Sequence, residues 1–122
     1  MDGPARLFVY GTLMPGHALW PELAPYAASW EVVTARGRLW DTGQGYPGVR
    51  FDDEGDAVPG VLVDLDVGRA AEAVALLDRI EDEGRLYRRV RVTTSAGDAF
   101  AYEWLGPVDG FQPLPGGWPP VP

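Results

Sequence analysis

Apolar positions in this chain fall into short runs broken by glycine, proline and acidic clusters, a spacing that suits strands better than a helical bundle. Leu7 to Tyr10 forms the first strand and stops at Gly11, with a Pro15-Gly16 turn signal close behind. His17 to Ala28 mixes apolar and small residues around Pro21 and Pro25. Leu19, Trp20, Leu23 and Tyr26 face inward there, on a short proline-interrupted helix or a packed loop. Trp30 to Trp40 reads as a strand burying Val32, Val33, Leu39 and Trp40, with Gly37 as a bulge. After the polar turn Asp41 to Gly45, Tyr46 to Phe51 is a short strand that Pro47 confines to an edge or a strand start. Asp52-Asp53-Glu54-Gly55-Asp56 reads as a solvated hairpin tip, since it lacks the spacing and closing Glu of a calcium-binding EF-hand loop.

Pro59 to Leu65 is a strand with Val61, Val63 and Leu65 on one face and Leu62 on the other. The period then changes. From Gly68 to Ile80 the apolar residues Ala70, Ala73, Val74, Leu77 and Ile80 recur at steps of three and four, which defines a helix with one buried stripe. Tyr87 to Thr94 returns to alternation, with Val90 and Val92 on one face and Tyr87, Arg89 and Arg91 on the other. Gly97-Asp98 signals a hairpin whose second strand is Ala99 to Leu105. Residues 106–122 form a Pro/Gly-rich extended tail with Trp118 anchored on the body. The pattern predicts an α+β class: a small mixed or antiparallel sheet curled toward a barrel, with one main helix, in a single domain over 1–122.

Composition narrows the chemistry. The 122 residues carry a formal charge of −8, which argues against nucleic acid as a partner. All 10 basic residues are Arg, so a Schiff-base lysine and a P-loop lysine are excluded. There is no Cys, hence no thiolate nucleophile or disulfide, and His17 alone cannot build a multi-histidine metal site. No apolar run approaches the roughly 20 residues of a membrane span. Met1-Asp2-Gly3-Pro4 has none of the basic-then-apolar character of a signal peptide. The expectation is a cytoplasmic protein, with no metal and no cofactor. Any chemistry must come from carboxylates, hydroxyls, Arg or backbone.

Two stretches could supply it. At Gly11 a strand ends with backbone N–H groups free to bind something; without a Cβ, Gly11 lets a ligand approach and can take positive φ. That suits an anion or a developing oxyanion, although an ordinary strand-to-turn exit fits the same residues. The helix exit, Leu77-Asp78-Arg79-Ile80-Glu81-Asp82-Glu83-Gly84, gathers four acids. Glu81 lies four residues after Leu77 and seven after Val74, on the buried stripe, whereas Asp82 turns about 100° away. Burial and the helix C-terminus both favour its neutral form, so its pKa should rise. Such a Glu can accept and return a proton near neutral pH. A Glu that fringes the helix end, paired to Arg79 or Arg85, is the alternative.

Taken together these segments resemble the gamma-glutamylcyclotransferase-like family. The resemblance rests first on Phe8-Val9-Tyr10-Gly11-Thr12-Leu13-Met14-Pro15-Gly16, and then on Gly37-Arg38-Leu39-Trp40-Asp41 with Tyr46-Pro47-Gly48. Leu77-Asp78-Arg79-Ile80-Glu81 and Tyr87-Arg88-Arg89 follow in the family's order, and Gly116-Gly117-Trp118 looks like a diverged Gly-Asp-Trp. The resemblance implies a pocket lined by the Tyr10, Gly11, Thr12 and Leu13 loop, with Glu81 catalytic and Tyr46 and Tyr87 among the substrate contacts. It also implies cyclisation of a small-molecule gamma-glutamyl substrate: the substrate's α-amine attacks its γ-carbonyl, forms 5-oxoproline and releases an amine or amino acid. Ordinary aromatic core remains the other reading of each tyrosine. Asp82 and Glu83 depart from the Gly that many members place after this Glu, and are expected to push the Glu81 pKa higher and to disfavour anionic substrates. Two other classes stand beside this one: a catalytically silent small-metabolite binding module, and a hydrolase pairing Asp66 with Glu81.

Overall fold

The computed structural model describes residues 5–120; Met1-Asp2-Gly3-Pro4 and the last two residues of the tail lie outside the described part. Seven strands form one sheet: β1 Arg6–Val9, β2 Ala27–Asp41, β3 Pro47–Phe51, β4 Asp56–Leu65, β5 Tyr87–Thr94, β6 Gly97–Trp104 and β7 Gln112–Pro113. Two α-helices accompany them, α1 Trp20–Leu23 and α2 Ala70–Ile80. Strand order runs β3-β2-β4-β1-β6-β5, and β5 pairs back to β2 through Ala35 and Thr94, closing a small barrel. The β1–β6 pairing is parallel and the others are antiparallel, so the sheet is mixed.

Each strand alternates between two hydrophobic layers. Inside the barrel pack Phe8, Tyr10, Val33, Val58, Leu62 and Val92 with the small Ala35, Ala99 and Ala101. Outside it, Leu7, Val9, Val61, Val63 and Leu65 meet the stripe Ala70, Ala73 and Leu77 of α2. Val61, Val63 and Leu65 therefore face the helix while Leu62 faces the barrel, as alternation predicts. The helix stripe holds as well: Ala70, Ala73 and Leu77 are buried, with Val74 and Ile80 half-buried beside them.

Several local expectations fail where non-local pairing decides. Val32 is 75% exposed, because it sits on the outer face of β2 beyond the reach of either helix. Trp40 is only half-buried. Gly37 is not a bulge; the irregularity in β2 falls between Ala27 and Ser29. Gly37 pairs with both Phe51 and Asp56, one on each side of β2, because β2 lies between β3 and β4. Asp52 to Gly55 is thus no hairpin tip. It carries the chain over β2 from one edge to the other, and a Cβ on Gly55 would lie 2.5 Å from the Gly37 carbonyl oxygen. Two glycines meet where the chain crosses itself, and neither tolerates a side chain. Pro47 does open β3, as its missing N–H requires.

The tail is packed. β7 pairs with Trp40 and Asp41, Leu114 is buried in the inner core, and Trp118 packs against it with its ring 5.4 Å from that of His17. No helix of the described residues is long and apolar enough to cross a membrane.

Candidate active site

The helix that carries Glu81 ends in a tight cap. Glu81 N–H donates to the Leu77 carbonyl, Asp82 N–H to Arg79 and Glu83 N–H to Asp78. This is a Schellman arrangement, whose residue after the cap takes a left-handed conformation. That residue is Asp82, at φ 54°, where glycine would be unstrained. The reversal sends the neighbouring acids away from Glu81. Asp82 pairs with Arg85, and the Glu83 carboxylate accepts the N–H of Arg89 at 3.2 Å.

Glu81 itself makes no ion pair or side-chain hydrogen bond among the described residues, so pairing with Arg79 or Arg85 is ruled out as its role. Instead it lines a cavity of about 260 Å³ together with the loop at the end of β1. Burial pushes its pKa from 4.5 to about 7. The charges of Asp82 and Glu83 do not contribute, contrary to the expectation from sequence, because both are turned outward and engaged elsewhere.

The loop opposite is closed by a short turn and by a backbone bond that spans seven residues. Met14 N–H donates to the Gly11 carbonyl at 3.0 Å, and Leu19 N–H to the Thr12 carbonyl at 2.8 Å. The N–H groups of Gly11, Thr12 and Leu13 meet no acceptor among the described residues, although Gly11 and Leu13 are buried. Buried amides without a partner are rare, and a cluster of them beside a cavity suits a carboxylate or an oxyanion. Gly11 is also required for a reason that the sequence does not show. Its φ is not positive; a Cβ there would come within 2.7 Å of the Pro47 ring. Proline and glycine pack together to bring β3 against the loop.

The three tyrosines named from sequence all line the cavity, with their hydroxyls differently employed. Tyr87 donates to the Pro47 carbonyl and Tyr10 to the Tyr102 carbonyl, each at 2.6 Å. Burial first, and then neighbouring charge and hydroxyls including Glu81, raises both pKa values well above the usual phenol range, so both stay neutral. A phenol that donates outward keeps lone pairs to accept from an ammonium. Tyr46 is more open and donates to Gln44 at 3.1 Å. Glu81, Tyr10, Gly11, Thr12, Leu13, Tyr46 and Tyr87 thus all border one space. Asp66 does not: it accepts from Gly68 N–H at the far end of the helix, which removes the proposed Asp66–Glu81 pair.

Sequence reading missed Tyr102 and the role of Asp78. Tyr102 lines the cavity and donates to Asp78 at 2.7 Å, while Arg89 closes on the same carboxylate. Asp78 thereby fastens the last turn of α2 to β5 and β6, directly beneath Glu81. The alternation of Phe100, Tyr102 and Trp104 against Ala99 and Ala101 was the available signal for Tyr102. Among the described residues no three His, Asp or Glu side chains gather closely enough to hold a metal.

Residues 7–119 match a family model described as gamma-glutamyl cyclotransferase, AIG2-like. Among solved structures, an AIG2-like protein of mouse is similar over 93% of this chain and 88% of its own, at 17% identity and a TM-score of 0.72. The uncharacterized protein PH0828 of Pyrococcus horikoshii is similar over 89% and 84%, at 24% identity and TM-score 0.67. The ytfP protein of Escherichia coli is similar over 89% and 90%, at 26% identity and TM-score 0.63. These likenesses show a shared fold. No curated protein matches the chain significantly.

Proposed function

The chain belongs to the gamma-glutamyl cyclotransferase, AIG2-like family, and from that premise we propose that it cyclises a gamma-glutamyl substrate, releasing an amine and 5-oxoproline. The observation that carries this reading is the unpaired Glu81 carboxyl, with its pKa near 7, sharing one cavity with the unpartnered amides of Gly11, Thr12 and Leu13.

The substrate's α-ammonium donates hydrogen bonds to the Glu81 carboxylate and to the tyrosine oxygens, while the loop amides donate to its carboxylate or to the oxygen of the γ-carbonyl. Glu81 as carboxylate removes one proton from the ammonium. The freed amine attacks the γ-carbon, and the carbonyl electrons move onto oxygen, where preorganised N–H donors stabilise them. When the intermediate collapses, the bond to the leaving nitrogen breaks and Glu81 returns its proton there. The attacking nitrogen sheds a second proton as the lactam forms, and the released amine departs as an ammonium, so charge and protons balance. An α-amine titrates near 8, roughly, and a base near 7 is well matched to it.

The test compares wild type with Glu81→Gln across gamma-glutamyl amides, measuring 5-oxoproline. The amide keeps the shape and loses the base, so turnover should fall by about 10²- to 10⁴-fold, the usual worth of a general base. In the wild type, kcat/KM should climb with pH through about 7, as Glu81 loses its proton. Turnover that survives the substitution unaltered would remove Glu81 from the mechanism. Equal binding by both forms with no product from any substrate would leave a silent binding module.

A further inference from the structure

Glu81 is the cap residue of α2, and a helix end left to itself frays. Because its carboxyl is unpaired, its place in the cavity depends on the backbone that carries it. One residue of β5 holds that backbone on both sides. Arg89 donates its backbone N–H to the Glu83 carboxylate at 3.2 Å, and its guanidinium pairs with the Asp78 carboxylate. Asp78 precedes Glu81 by one helical turn, and Glu83 follows it in the reversal. Tyr102 stands opposite Arg89 in the β5–β6 register and donates its hydroxyl to the other oxygen of Asp78 at 2.7 Å. The carbonyl of Tyr102 accepts in turn from Tyr10, the residue before Gly11, at 2.6 Å. A single cross-strand pair thus ties the helix end that bears Glu81 to the strand end that bears the amides. The Arg89 guanidinium lies over the Phe100 ring, 5.4 Å from its centre, which limits its swing. Neither Asp78 nor Arg89 lines the cavity.

We propose that Asp78 and Arg89 are positioning residues: with Tyr102 they clamp the last turn of α2 and hold the Glu81 carboxyl at reacting distance from a substrate anchored on the Gly11 to Leu13 amides. This rests on the cyclisation reading given above and adds what keeps its acid in register. A proton-transferring group acts only within a narrow geometry, and a displacement of about 1 Å costs roughly 100-fold in rate. Two donors from two strands make the Asp78 carboxylate a fixed point; without it the helix end and Glu81 shift together. The action is through place and not through charge. Burial is the cause of the raised Glu81 pKa, and the titratable groups that share its cavity are Tyr10, Tyr46, Tyr87 and Tyr102. The charged groups on the adjoining backbone are Asp78 with Arg89, Asp82 with Arg85, and Glu83 on the Arg89 N–H.

The experiment compares Asp78→Asn and Arg89→Met with wild type. In each, kcat for 5-oxoproline formation should fall by about 10- to 100-fold while KM stays within about threefold. The double variant should lose no more than the worse single one, since the pair acts as a unit. Carbon-13 NMR titration of the Glu81 carboxyl in the same proteins needs no turnover. Displacement toward water lowers its pKa from about 7 in both variants. Action through charge would instead lower it when Asp78 is neutralised and raise it when Arg89 is, so opposed shifts overturn the proposal. Unchanged kcat in folded variants whose only loss is in melting temperature overturns it as well. Arg89→Lys keeps the charge and shortens the reach; it replaces Arg89→Met if that variant does not fold, with the same downward shift expected. If wild type makes no 5-oxoproline from any substrate, the cyclisation reading falls by itself. The titration then decides the clamp alone: parallel downward shifts uphold it, and unshifted or opposed values refute it.

Discussion

Glu81 should make the protein less stable at the pH where it would work, and the size of that cost follows from its burial. Its pKa is about 7 in the fold against 4.5 for the free side chain. The folded value is the higher one, so the fold favours the protonated acid. Below pH 4.5 both states hold the proton and the residue is neutral to stability. Through the interval from 4.5 to 7 the unfolded chain ionises while the folded one resists, and stability drains away until the folded group ionises as well. Fully developed, the gap amounts to about 3 kcal/mol. Some exposure at the cavity mouth lowers this, and about 2 kcal/mol between pH 5 and pH 8 is the figure to seek. Glu81→Gln removes the titration while keeping the shape. Urea unfolding of both proteins at pH 5 and pH 8 isolates the effect, because all other groups cancel in the difference. The variant should match wild type to within about 1 kcal/mol at pH 5 and exceed it by about 2 to 3 kcal/mol at pH 8. Its melting temperature at pH 8 should then be higher by about 5–10 °C. A stability difference that is the same at both pH values would show that the carboxyl is solvated. The proton-transfer role built on its raised pKa would fall with it.

Two further outcomes follow from backbone geometry. Gly11→Ala puts a Cβ 2.7 Å from the Pro47 ring, so it should cost about 1–3 kcal/mol in urea unfolding. It should also displace the loop amides and depress 5-oxoproline formation well beyond the loss of stability. Asp82→Gly relieves a left-handed residue at the helix cap and gives up only an exposed pair with Arg85, so it should stabilise by ~0.5–1 kcal/mol. Because Asp82 faces away from the cavity, the pH dependence of turnover should not move; a shifted profile would mean that its charge does reach Glu81.

Much of this was legible in the residues themselves. Period-two alternation in Pro59 to Leu65 assigned Val61, Val63 and Leu65 to one layer and Leu62 to the other, and the structure keeps them there. The three-and-four spacing from Ala70 to Ile80 placed Glu81 on the inner stripe, and the cavity lies on that side. Such patterns depend on bond geometry within a few residues, which is why a linear reading can recover them.

What the linear reading could not supply depended on segments distant in sequence. Gly37 looked like a bulge because its need for a bare Cα arises from β3, where a Cβ would lie 2.7 Å from the Arg50 carbonyl oxygen. Gly11 looked like a residue that could need positive φ, when its φ is not positive and a Cβ there would meet the Pro47 ring. Asp82 and Glu83 looked like charges bearing on Glu81, until one left-handed residue and the partners Arg85 and Arg89 turned them outward. Val32 had the composition of a core residue in a place that no helix covers. Local sequence determined the elements and the direction each side chain leaves its own backbone. Tertiary packing alone decided what each then meets: a shared cavity, unpartnered amides, and an acid kept near neutrality by burial rather than by neighbouring charge. Desolvation and close approach are properties of the surroundings, and the surroundings of Glu81 come from strands and loops far from it along the chain.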